Sequence, residues 1–206
     1  MESVTMKKPM NKGNILSSVW CGMLIGLGGL GNLMVGGIPG ALLFAFGLCS
    51  VVLSGNRCLY TGWAGRFDFR SSGEWLNLLA MLLLNGVGCA VVAYIASKTT
   101  ADCSSIVQSR TTSPLLDVGL KAILTGVIMH VCVWAYKMKQ TFVPILIGVP
   151  LFILCGLPHC VADIFYYALD MVRHGANVDV VLPWVVSVAG NLVGCNVPRL
   201  LGVCEE

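Results

Sequence analysis

Leu154-Cys155-Gly156-Leu157-Pro158-His159-Cys160-Val161-Ala162-Asp163 interrupts an otherwise apolar run from Thr141 to Leu169. Gly156 and Pro158 break the helical ladder, because proline has no N–H to donate and its ring clashes with the preceding turn. The break falls directly before His159. In a bilayer, freed backbone groups cannot turn to lipid, so non-helical backbone persists only where protein buries it or where it lines a cavity. The segment therefore points inward. A half-helix starting near Pro158 aims its positive end at that cavity, which favours an anion or polarises a neutral guest. An imidazole in that place is the first candidate for chemistry on a passing solute.

The rest of the chain supports a membrane setting. Of its 206 residues 56% are hydrophobic and 11% charged, and the mean hydropathy is +0.82, too apolar for an ordinary soluble domain. Residues 13 to 56 carry no charge or histidine, about twice the ~20 residues that one helical span needs. Gly36-Gly37-Ile38-Pro39-Gly40 divides that run into two spans, Asn14–Val35 and Pro39–Ser54. Four more follow, at Trp75–Ser97, Val118–Tyr136, Thr141–Leu169 and Val180–Leu200. The long apolar run after Lys7, Lys8 and Lys12 has no small-x-small cleavage pattern, so it reads as a retained span rather than a signal peptide.

Charge sets the orientation. With both ends cytoplasmic, the inside segments hold Lys7, Lys8, Lys12, Arg66, Arg70, Lys137, Lys139 and Arg199, against Lys98, Arg110 and Arg173 outside. That bias follows the positive-inside rule and implies a multi-pass protein of the cell inner membrane, in contact with lipid. Most of the ten cysteines lie in spans, where cysteine behaves as a small hydrophobe. The spacing of Cys155, His159 and Cys160 matches no zinc pattern. Neither a metal nor a cofactor is implied, and there is no phosphate loop, catalytic domain or basic nucleic-acid module.

A second break corresponds to the first. Gly55-Asn56-Arg57 ends the second span before Cys58-Leu59-Tyr60-Thr61-Gly62-Trp63 resumes it. Asn85-Gly86-Val87-Gly88-Cys89 in the third span and Asn191-Leu192-Val193-Gly194-Cys195 in the sixth share Asn-x-Val-Gly-Cys. The expected fold is an all-α integral membrane protein of six transmembrane helices, arranged as two three-helix repeats with the second and fifth helices broken. Because three is odd, the second repeat enters the bilayer inverted. The chain then divides into a cytoplasmic tail (1–13), a first repeat (14–98), an external polar linker (99–113) and a second repeat with a short C-terminus (114–206).

These residues resemble the formate/nitrite transporter family over nearly all the spans. Lys121-Ala122-Ile123-Leu124 through Cys132-Val133-Trp134 is similar to that family's fourth helix, and Leu59-Tyr60-Thr61-Gly62 to its broken second helix. His159 with Ala162-Asp163 is similar to the His-x-x-Ala-Asn of the broken fifth, and Asn85 and Gly190-Asn191 to the asparagines of the third and sixth. The resemblance implies an aquaporin-like protomer with its own pore, a homopentamer, and passage of formate, nitrite, hydrosulfide or similar small monovalent anions or their conjugate acids. Four positions depart from the pattern. Cys58 and Pro158 stand where acidic residues are usual, and Gly126 and Asp163 stand where asparagines are usual.

On this reading Lys121 attracts the anion at the mouth, and His159 passes it on with Thr61, as hydrogen-bond donor or proton relay. Leu59 and Tyr60 form an inner constriction, and Phe46 and Phe152 an outer one. Asn85 and Asn191 belong to the pathway. Arg57 and Asp163, both at breaks, form a buried charge pair in place of the missing acids. His130 is an interhelical histidine. The alternatives are a neutral-solute pore of the water or glycerol type, whose paired Asn-Pro-Ala motifs are absent, and a non-conducting membrane scaffold. An enzyme is not expected, since Cys160 beside His159 does not face it on a helix.

Overall fold

In the computed structural model, which describes residues 10, 12–54, 58–66 and 68–203, most of the described residues are helical. Its helices are α1 (Lys12–Val35), α2 (Gly37–Leu53), α3 (Tyr60–Trp63), α4 (Ser72–Ala96), α5 (Ser104–Thr112), α6 (Leu115–Lys139), α7 (Val143–Leu154), α8 (Cys160–His174) and α9 (Val181–Leu200), with a 3-10 turn at Val178–Val180. No strand occurs among the described residues.

Among the described residues, four helices are long and apolar enough to cross a membrane: α1, α4, α6 and α9 with its preceding turn. The 12 residues of α7 rise only about 18 Å at 1.5 Å each, short of a ~30 Å hydrocarbon core. α8 resumes after the break. The other broken span is lopsided, with 17 residues in α2 and a single turn of 4 in α3.

The continuous helices pack as two intimate pairs, α1 with α4 and α6 with α9, and the repeated motif sets both contacts. A Cβ on Gly88 would lie 2.0 Å from the Val19 carbonyl oxygen, and one on Gly194 2.0 Å from that of Ile123. Gly22 and Gly126 return the contact, facing the carbonyls of Asn85 and Asn191. Small residues let the backbones touch, which in lipid is the main source of helix association. The cysteines that end the motif reach toward the opposite half: Cys89 Sγ lies 3.4 Å from the Val161 carbonyl, and Cys195 Sγ 3.5 Å from that of Thr61. Gly88→Ala is expected to force α1 and α4 apart. The midpoint of thermal unfolding in detergent should fall, at a cost of about 1–3 kcal/mol, as for other overpacked sites.

The core lies between these pairs, where α8 packs on α4 and α2 packs on α7. Large apolar side chains also cover the exterior. On α4 these include Leu76, Leu79, Leu83, Val87 and Tyr94, all exposed, as expected of a helix long and apolar enough to cross a membrane.

The polar linker is not irregular. It forms α5, whose buried face carries Val107 and Arg110. Before it, Asp102 accepts hydrogen bonds from the Ser104 hydroxyl and backbone N–H at 2.7 and 3.0 Å. Those bonds hold its carboxyl below the usual aspartate range.

Candidate functional site

The break between α7 and α8 has a defined geometry. Gly156 takes a left-handed conformation with φ of 63°, which glycine adopts without a Cβ penalty. Pro158 follows, and His159 caps α8, its Nδ1 accepting the Ala162 N–H at 3.2 Å. Asn191 holds the junction from α9. Its Oδ1 accepts the Cys160 N–H at 2.8 Å, while Nδ2 donates to the carbonyls of Ala122 and Pro158 at 2.8 and 3.1 Å. Asn85 does the same for the other break, accepting the Tyr60 N–H at 2.9 Å and donating to the carbonyls of Ser18 and Cys58 at 2.7 and 2.9 Å.

The two asparagines thus occupy equivalent places. Both side chains are fully buried, and each has its oxygen and its NH2 group committed to backbone. They position the helix starts, and neither lines one of the two cavities described below.

The ends so positioned meet. Thr61 Oγ1 lies 3.2 Å from His159 Nε2. Because Nδ1 accepts the Ala162 N–H, a neutral imidazole carries its proton on Nε2 and donates it to the threonine oxygen, leaving the hydroxyl hydrogen free to point elsewhere. The Phe152 ring stacks on the imidazole with centroids 5.5 Å apart, and Phe44 packs edge-on to Phe152 at 5.9 Å.

Two cavities flank this cluster, at opposite ends of α7. One, of about 340 Å³, is lined by Leu59, Gly62, Val133 and Tyr136, with Arg66, Lys137 and Gln140 at its polar side. The other, of about 160 Å³, is lined by Phe152, Gly156, His159, Asp163 and, from α5, Ser109 and Arg110. Thr61 lies between Leu59 and Gly62 of the first cavity and bonds His159 of the second. The Thr61–His159 contact thus stands between residues of the two cavities.

The expected residues divide accordingly. His159 joins Thr61 and Phe152, whereas Leu59 lines the first cavity. Tyr60 is buried and donates its hydroxyl to the Val188 carbonyl at 3.3 Å, so it packs the wall and lines neither cavity. Phe46 is 56% exposed, on the outward stripe of α2 with Leu42, Leu43 and Leu53. Two residues on a helix turn about 200°, so Phe44, edge-on to Phe152, faces inward where Phe46 faces outward. Lys121 is exposed on α6 and lines neither cavity. His130 packs against Gly65, where an added Cβ would meet its Nδ1 at 2.5 Å.

Asp163 is 1% exposed, and its carboxylate faces Arg110, with Oδ1 3.6 Å from the guanidinium Nε. Arg57, its expected partner, lies outside the described residues. Arg110 was not expected at the site: the serine- and threonine-rich linker resembles a loop, although Ile106, Val107 and Arg110 recur at the spacing of one helix face.

Comparisons with known proteins agree with this architecture. The family model described as formate/nitrite transporter matches residues 4–201. Among solved structures, an FNT family ion channel superposes with a TM-score of 0.77 at 23% identity, covering 92% of this chain and 88% of the other. A pentameric formate channel with formate bound gives a TM-score of 0.80 at 16% identity, covering 92% and 94%. No curated protein sequence matches the chain.

Proposed function

We propose, from the premise that this chain belongs to the formate/nitrite transporter family, that it conducts small monovalent weak-acid anions such as formate, nitrite or hydrosulfide, and that they cross between the two cavities as the conjugate acid. The observation that carries this reading is the Thr61–His159 hydrogen bond at 3.2 Å between two cavities. A bare anion in an apolar constriction costs several kcal/mol. Protonation removes most of that cost, and the His159–Thr61 pair supplies a donor and a hydroxyl where the solute has lost its water.

Lys121, exposed near the start of α6, raises the local anion concentration. Arg66 and Lys137, on the positive-inside assignment, line the cytoplasmic cavity. The Arg110 cavity is then external, both termini are cytoplasmic, and the halves are inverted repeats. The matched clamps of Asn85 and Asn191 support that symmetry. The family and the pentameric formate channel make a homopentamer in the cell inner membrane the expected assembly.

The test is uptake into proteoliposomes. Formate and nitrite entry should rise as external pH falls, and Lys121→Ala should raise the half-saturating concentration severalfold while sparing the maximal rate. Flux no greater than in empty liposomes for formate, nitrite and hydrosulfide would identify a non-conducting scaffold. Glycerol permeability without anion flux would identify a neutral-solute pore.

A further inference from the structure

The external cavity contains an ion pair with hydrogen-bonding capacity to spare on both sides. Arg110 and Asp163 are 8% and 1% exposed, and their Nε and Oδ1 are 3.6 Å apart, beyond hydrogen-bond length. Nη1 of Arg110 is committed to the Gly156 carbonyl at 2.7 Å. Among the described residues, Arg110 Nε–H and Asp163 Oδ2 have no hydrogen-bond partner, although buried polar groups almost always have one. A vacant donor and a vacant acceptor therefore belong to two residues that, with His159, line this cavity. Its 160 Å³ corresponds to roughly five waters at ~30 Å³ each, enough for a molecule of a few heavy atoms.

We propose that this pair is the external recognition site for an undissociated small oxyacid. Arg110 Nε–H donates to the double-bonded oxygen of the acid, and Asp163 Oδ2 accepts its O–H. The inference rests on the weak-acid reading above and names the residues that meet the substrate first. A bare anion satisfies the donor alone and faces a carboxylate. A planar acid with adjacent C=O (or N=O) and O–H satisfies both. In the complex one proton is shared between the substrate oxygen and Asp163, and no other bond is made or broken. His159, the residue that caps α8 four positions before Asp163, is the next donor inward. The other titratable side chain facing the cavity is Tyr166, also on α8; α1 and α7 contribute none. The linker helix that carries Arg110 is thus part of the binding site.

Formate is titrated into purified protein in detergent at pH 7, by calorimetry in two buffers of different ionisation enthalpy. The wild type should take up about one proton per formate bound. Arg110→Gln should weaken binding at least about tenfold, the usual effect of losing a hydrogen bond to a charged group. Asp163→Asn, which keeps an acceptor and removes the charge, should abolish the proton uptake, so the proposal does not depend on the arginine variant folding. Formamide, a neutral molecule with the same adjacent acceptor and donor, should compete with formate. Binding without proton uptake, no binding, or variants that change neither quantity would overturn the site and leave the pair a structural clasp. Liposome flux separates the two readings: flux without proton-linked binding removes the site alone, and proton-linked binding without flux removes the channel alone.

Discussion

Replacing His159 with alanine is expected to lower formate flux into proteoliposomes on the order of 100-fold near neutral pH, the scale of returning one charge to an apolar barrier. The substitution removes three things together: the Nε2–H donor of the imidazole, the partner of Thr61, and the acceptor that caps α8. Loss of the cap costs about 1 kcal/mol of stability, which a melting curve separates from loss of conduction. Thr61→Val, which keeps the imidazole and the shape of the side chain, should lower flux less, by about tenfold, in line with one hydrogen bond. If the alanine variant, still folded, conducts within twofold of the wild type, the imidazole serves only to join the two helix breaks.

The largest effect on stability is expected from Asn191→Leu. Leucine has similar bulk, but it leaves the Cys160 N–H and the Pro158 carbonyl without their partner at a helix break, and removes a second bond from the Ala122 carbonyl. Each group stranded in a buried place costs about 1–3 kcal/mol. The sum, several kcal/mol, is of the order of a whole domain's stability. Unfolding in detergent should move down by about 10 °C or more, if folded protein is recovered at all. Asn191→Asp, which keeps the acceptor for Cys160 and loses the donors, should fall between. Asn85→Leu should behave in the same way, because its three bonds are the counterparts of these. Equal melting of variant and wild type would mean that the junction is held by Pro158 and its neighbours alone.

These expectations trace how far the sequence could be read. The four long apolar helices were legible because about twenty apolar residues in a row have few other fates, and the break before α8 because Gly156 and Pro158 act on the backbone whatever surrounds them. His159 and Thr61 followed from the breaks and the family likeness. Facing was harder. In α2 nearly every residue is apolar, so no polar face sets the rotation of the helix, and Phe44 and Phe46 cannot be told apart until neighbours are present. Asn85 and Asn191 were recognisable as special, yet a polar side chain in a span fits a solute contact as well as a backbone clamp. The hydrogen bonds that make the clamp appear only in the structure. Arg110 was out of reach for another reason: its role depends on α5 folding back onto α8, a tertiary contact that the composition of the linker does not encode.

The connection between the halves is fastened in both directions. Arg110 reaches from α5 to the Gly156 carbonyl, and Arg173 reaches from α8 to the carbonyls of Ala96, Thr99 and Ala101. A spacer serves only to keep two pieces near each other, and its covalent continuity is all that it contributes. Here the strap is buckled at both ends by guanidinium groups, so a nick in the backbone between the two buckles would cut the polypeptide without parting the halves.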